Sequence, residues 1–91
     1  VCTGSGASLL GRVVASGADV FVTGDMKYHD WRLAEEAGLG VIDIGHFASE
    51  RIVLEPFAAF VRNKAKSERV DLEVFISSSE KDPFQVIAGK C

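Results

Sequence analysis

Asp19-Val20-Phe21-Val22-Thr23-Gly24-Asp25 is the stretch that decides the fold of this chain. Its apolar core is short, β-branched and aromatic, and it stops abruptly at a glycine and a carboxylate, as a strand buried on both faces does. Working outward, Val41-Ile42-Asp43-Ile44 repeats the pattern and is closed by Gly45. Between the two runs, Asp30 is placed to cap a short helix carrying Trp31, Ala34 and Ala37, with Gly38 as its stop. Upstream, Thr3-Gly4-Ser5-Gly6 reads as a turn. Leu9, Leu10, Val13 and Val14 follow at helical spacing, and Gly17 ends them.

Downstream, the pattern is helical from Phe47 to about Ser67, with Ile52, Val53, Phe57, Phe60 and Val61 on one side. Pro56 interrupts it, because an interior proline removes a hydrogen bond and clashes with the preceding turn. One helix kinked near Ile52 is the expectation; the alternative is a second helix with Pro56 in its first turn. Asp71 to Ile76 reads as a further strand, Ser77-Ser78-Ser79 as loop, and Pro83 to Ile87 as an optional edge strand. Alternating strands and helices predict an α/β fold: a mainly parallel sheet of about four strands with helices on both faces. No repeat, linker or low-complexity segment breaks the chain, so residues 1–91 read as one α/β domain. Val1-Cys2-Thr3-Gly4 resembles the tail of a strand, which leads us to expect ordered sequence before it.

Composition narrows the function classes. A formal net charge of −3 and the lack of a Lys/Arg cluster argue against a nucleic-acid partner. Lys64, Lys66 and Arg69 suit the solvated C-terminal end of a helix, where cations complement the dipole. Cysteines at positions 2 and 91 make neither a disulfide framework nor a zinc knuckle. Without a secretory apolar segment or a membrane-length run, a reduced cytoplasmic protein is expected, with no membrane partner. A terminal or intermolecular disulfide has nothing to support it.

The chemistry gathers at three strand ends, which a parallel sheet brings to one edge. Gly4 to Ser8 is a glycine-rich turn before a helix, able to approach an anion but matching no nucleotide-binding fingerprint. Thr23-Gly24-Asp25-Met26-Lys27-Tyr28-His29-Asp30 holds more functional groups than a turn requires. There Asp25 and His29 can orient a metal ligand or pass a proton. A surface loop capped by Asp30 is the plain reading. Asp43 would be costly in a buried strand, so it is either paired, for example with Lys27 or His29, or functional. His46 and Glu50, four residues apart at the start of a helix, share a face and can deliver two donors to one metal. Otherwise Glu50 is an exposed helix carboxylate near Arg51. Two ligands make only half a site.

At these residues the chain resembles the NGG-interacting factor three-like family. The matching stretches are Gly4 to Leu10, Ala18 to Asp30 with its T-G-D-x-K-Y-H element, Asp43-Ile44-Gly45-His46 with Glu50, Glu55-Pro56 and Asp82-Pro83-Phe84. The resemblance implies a hexameric protein of two α/β halves clasping two divalent metal ions per full-length chain, under the name GTP cyclohydrolase I type two. It makes His46 and Glu50 the metal ligands supplied by the C-terminal half. An adjacent histidine pair and an acidic residue in the N-terminal half supply the others. This chain has no such pair; its histidines are His29 and His46. It therefore resembles the C-terminal half alone, and the isolated half is not expected to catalyse. By resemblance Asp25, Lys27 and His29 line the cavity as catalytic groups.

Three functions are open at this point. One is a dinuclear-metal-dependent hydrolase of the GTP cyclohydrolase type, or one acting on a related nucleotide or phosphoester. Its metals could be zinc, manganese, iron or nickel. A second is a non-catalytic metal-binding oligomeric scaffold or regulatory partner. The third is a phosphate-binding module using Gly4 to Ser8, independent of His46.

Overall fold

Val20–Thr23 (β1) and Gly40–Asp43 (β2) pair in parallel in the computed structural model, which describes residues 1–87 and 89. The register sets Phe21 beside Val41 and Thr23 beside Asp43. The N-terminal segment runs along the other edge of β1. There Cys2 N–H donates to Val22 O at 2.9 Å, Gly24 N–H donates to Gly4 O at 2.8 Å, and Ser5 forms one parallel bridge with Gly24. The expected strand tail at Val1 to Gly4 is thus a hydrogen-bonded flank of the sheet. It is too short to count as a strand.

By their contacts the residues fall into two units, Val1–Ile52 and Val53–Cys91. In the first, a short 3-10 turn (Ala7–Leu9) leads into helix α1 (Leu10–Ala15), and Tyr28–Glu36 forms α2. Leu10 from α1, Phe21 from β1, Ala34 from α2 and Leu39 make the buried core, with Cys2, Val13 and Val41 packed against it. Gly38, at φ +71°, lets α2 turn sharply into β2, with Leu39 N–H returning to Ala34 O at 2.9 Å. The helix α2 starts earlier than the capping rule predicts. Lys27 is its N-cap, and Asp30 sits one turn in, its carboxylate accepting the Lys27 backbone N–H at 3.1 Å. Asp30 thus caps backward, onto the N-cap amide, in place of the forward bond expected of an N-cap aspartate.

His46–Arg51 forms α3, and Leu54–Ser67 forms α4, which belongs to the second unit. The expected single kinked helix is therefore two helices. Proline's missing N–H costs nothing in a first turn, whose N–H groups have no helical partner in any case, and Pro56 takes that place in α4. The helix α4 closes as the charge pattern suggested. Lys64 and Lys66 lie in its last turn. Arg69 takes a left-handed conformation, φ +56°, so that Val70 N–H reaches Ala65 O at 2.8 Å.

The four-strand expectation is corrected. Among the described residues the sheet has two strands, and neither Asp71 to Ile76 nor Pro83 to Ile87 joins a ladder. A strand needs a neighbour for its backbone groups, and these segments have none there. Arg62 instead donates from its guanidinium to Val74 O at 2.8 Å, and the Asp82 carboxylate accepts Phe84 N–H at 2.9 Å. The apolar side chains of these segments are open, with Phe75 and Phe84 each 82% exposed. Both faces of the sheet were expected to be covered. In the first unit α1 and α2 pack on the Phe21 face, while Val20 and Ile42 on the other stay more than half exposed. Cys2 is a free thiol, and Cys91 lies outside the described residues.

Candidate functional site

The carboxyl ends of β1 and β2 meet the N-terminal segment at Gly4, and that junction is built by small residues. Gly4 N–H donates to Ser49 Oγ at 2.7 Å, and the Ser49 hydroxyl passes its own hydrogen to His46 O at 2.8 Å. Gly4 O accepts both Gly24 N–H and the Thr23 hydroxyl, the latter at 3.1 Å, while Thr23 Oγ1 accepts Gly6 N–H at 2.8 Å. Thr23 and Ser49 are the largest side chains that are fully buried, at 0% and 1% exposure. Each hydroxyl both gives and receives a hydrogen bond, so neither is left stranded by its burial.

Glycine is required here for space. A Cβ on Gly24 would lie 2.8 Å from Gly45 C and His46 N, both backbone atoms of the turn into α3. A Cβ on Gly4, which also holds a left-handed φ of +67°, would lie 2.5 Å from Glu50 Oε1 and 3.1 Å from His46 Nε2. The imidazole nitrogen and the carboxylate oxygen thus converge on the space above Gly4.

On this base stand three polar side chains. His46 Nε2 lies 3.2 Å from Glu50 Oε1, and His46 Nδ1 lies 3.4 Å from Asp25 Oδ2. All three are about half exposed: His46 46%, Asp25 52% and Glu50 58%. The i,i+4 placement of His46 and Glu50 on α3 delivers the pair as the sequence spacing predicts. Asp25 joins them from the loop after β1, with its backbone left-handed at φ +55°, a conformation aspartate tolerates better than most residues.

Asp43 departs from the sequence reading. It is exposed, and it pairs with neither Lys27 nor His29. Its two oxygens accept Met26 N–H at 3.0 Å and Gly45 N–H at 2.9 Å. One carboxylate therefore ties the loop bearing Asp25 to the turn before His46. Lys27 and His29 stand at the start of α2, where the His29 ring meets Tyr28 edge-on at 5.4 Å. Among the described residues no hydrogen bond or ion pair joins either of them to the His46 cluster. Ser49 was missed by sequence reasoning. Its only signal is its spacing, three residues after His46 and one before Glu50.

The arrangement has a definite chemical capacity. A neutral imidazole donates from one nitrogen only, yet both nitrogens of His46 face carboxylate oxygens. One of the two contacts then sets acceptor against acceptor, which a second proton or a cation between them would relieve. His46 Nε2 and Glu50 Oε1, 3.2 Å apart, are close enough to share a hydrogen or to be the two donors that would hold a divalent ion. No group of three or more His, Cys, Asp or Glu side chains able to hold a metal ion forms among the described residues. The second unit offers an apolar groove bordered by Phe60, Val61, Val70 and Leu72, with Lys64 and Glu68 paired at its rim at 3.2 Å.

Comparison with known proteins places this geometry in context. The family described as Duf34/NIF3 (NGG1p interacting factor 3) matches residues 1–83. A Staphylococcus aureus (strain COL) protein called GTP cyclohydrolase 1 type 2 homolog is 43% identical over 84 residues, covering 92% of this chain and 23% of that protein. A solved Staphylococcus aureus structure superposes with a TM-score of 0.81 at 40% identity, over 93% of this chain and 27% of the other. A Bacillus cereus protein related to NIF3 gives a TM-score of 0.85 at 29% identity, over 93% and 23%. The chain spans less than a third of the length of each.

Proposed function

Because the chain belongs to the Duf34/NIF3 family, we infer that it is the metal-binding C-terminal part of a dinuclear-metal-dependent hydrolase. The observation that carries this reading is the convergence of His46 Nε2 and Glu50 Oε1, 3.2 Å apart, on the space above Gly4. Both are borderline-to-hard donors of the kind zinc, manganese, iron or nickel accept. The lack of a third donor among the described residues is in keeping with ligands contributed by another part of the protein. When bound, divalent ions at such a site supply Lewis acidity and a water acidified enough to act as nucleophile near neutral pH.

The residues of this chain would then divide the work. His46 and Glu50 hold the ion. Lys27 and His29, at the start of α2, would face substrate, with His29 moving protons, while Asp25, on the loop after β1, stands against His46. A small molecule is the substrate class. The curated relatives bear the name GTP cyclohydrolase 1 type 2 homolog, which favours a nucleotide. A related phosphoester would suit the same donors. By the same family resemblance the full-length protein would be a homohexamer; the charge balance and cysteine usage of the sequence favour a cytoplasmic protein with neither nucleic acid nor membrane as partner. No helix among the described residues is long and apolar enough to cross a membrane.

The family description, an interacting factor, favours a second reading: a metal-binding oligomeric scaffold without turnover. Metal content of the full-length protein by mass spectrometry separates the cases, with wild type beside His46→Ala and Glu50→Ala. Loss of one or two ions per chain in both variants supports the ligand assignment. Unchanged stoichiometric metal overturns it. Hydrolysis of GTP or a phosphoester by the wild type, lost with His29→Ala, separates enzyme from scaffold.

A further inference from the structure

We propose that Asp25 is the positioning carboxylate of His46: it holds hydrogen on Nδ1 and so turns the Nε2 lone pair toward the space shared with Glu50. The proposal rests on the metal-binding reading for its purpose and on the geometry of the loops for its argument. His46 has carboxylates on both sides, and they are not equivalent. Glu50 Oε1 and His46 Nε2 converge on one open point over Gly4, 2.5 and 3.1 Å from where a Cβ would stand. Asp25 Oδ2 lies behind the ring, 3.4 Å from Nδ1, on the side away from that point. A nitrogen that is to serve as a donor to a cation must be free of hydrogen. The ring then carries its hydrogen on the other nitrogen, which wants an acceptor.

The backbone around Asp25 is held more tightly than an exposed loop needs. Gly24 N–H is fixed to Gly4 O at 2.8 Å just before it, and Met26 N–H to Asp43 Oδ2 at 3.0 Å just after it. The Ser5 hydroxyl approaches the carbonyl oxygen of Asp25 itself at 3.4 Å. Asp43 reaches across to Gly45 N–H with its second oxygen, so one side chain ties the Asp25 loop to the start of α3, beside the Ile44 N–H bond to Thr23 O at 2.9 Å. These tethers flank Asp25, whose backbone is left-handed at φ +55°. A backbone fixed on both sides, at the residue whose carboxylate meets the imidazole, is what an orienting group requires.

Nitrogen-15 NMR of His46 in the full-length, metal-free protein, followed upward in pH until the ring is neutral, tests this directly, because the two neutral tautomers give distinct ring-nitrogen shifts. Wild type is expected to show Nδ1–H predominating. Asp25→Asn should lower that population, and Asp25→Ala should abolish the preference. Glu50→Gln should leave it in place. Zinc affinity, measured by competition with a chromophoric chelator, should fall by about tenfold or more in Asp25→Asn while the stoichiometry stays that of wild type. Asp25→Glu should recover part of the loss. The same tautomer in wild type and Asp25→Ala overturns the proposal, as does predominance of Nε2–H in wild type. If wild type binds no zinc and the tautomer still depends on Asp25, the metal reading falls and the positioning role stands.

Discussion

The three side chains that carry the candidate chemistry are about half exposed, whereas the two hydroxyls beneath them, on Thr23 and Ser49, are fully buried. The upper layer is exchangeable in energetic terms, since ion pairs in contact with water contribute little to folding. The lower layer is not, because each of its bonds replaces water that cannot return. Holding the backbone together and presenting the polar groups are therefore assigned to different residues. A substitution below should cost stability first and binding as a consequence; a substitution above should do the reverse.

The sharpest way to break this division is Gly24→Ala. The added Cβ meets backbone of the turn into α3 at 2.8 Å, and backbone cannot swing aside as a long side chain can. A loss of roughly 3 kcal/mol is expected, at the upper end of overpacking costs, read as a lowered urea midpoint. A midpoint within error of wild type would show that the junction is softer than its contacts imply. Thr23→Val comes next. It keeps the shape but leaves Gly6 N–H and one of two bonds to Gly4 O unmade inside the junction, for a loss of about 2–3 kcal/mol. Ser49→Ala removes the acceptor of Gly4 N–H and the short bond to His46 O. About 1–2 kcal/mol should follow from the orphaned amide. Zinc affinity should also fall in this variant, since the first turn of α3 would lose its tie to Gly4.

Much of the upper layer was legible in the sequence, and little of the lower. His46 and Glu50 announce themselves by chemistry and by spacing on a helix. Helical periodicity is local, so the pair could be placed without knowing the rest of the fold. Asp25 was legible, together with His29, as a group able to orient a metal ligand or pass a proton; nothing local says which of the two does so. What distinguishes Asp25 is its 3.4 Å approach to His46, a contact across twenty-one residues of sequence. Ser49 and Thr23 are common residues whose role depends wholly on what folds over them. The misread elements have the same origin. Asp71 to Ile76 has the composition of a strand, but a strand is a relation between two segments, and the described residues supply no second one. Pro56 marked a disturbance correctly without saying whether the helix bends or starts afresh. The first-turn position resolves it, because there the missing N–H is no loss.

Glu50→Gln tests the division from the other side, with the smallest expected effect on folding. Its contact with His46 is an i,i+4 pair more than half open to solvent, so removing the charge should move the unfolding midpoint by less than about 0.5 kcal/mol in either direction. The amide keeps the size and the helical preference of the side chain, and Gly4, Thr23 and Ser49 keep all their bonds. Divalent-ion binding should nevertheless drop, because an amide oxygen is a far weaker ligand than a carboxylate. Titration calorimetry with zinc beside urea unfolding reads both quantities on one preparation. A large loss of stability with affinity retained would mean that Glu50 belongs to the scaffold of α3 and not to its chemistry, and the two layers would then be one.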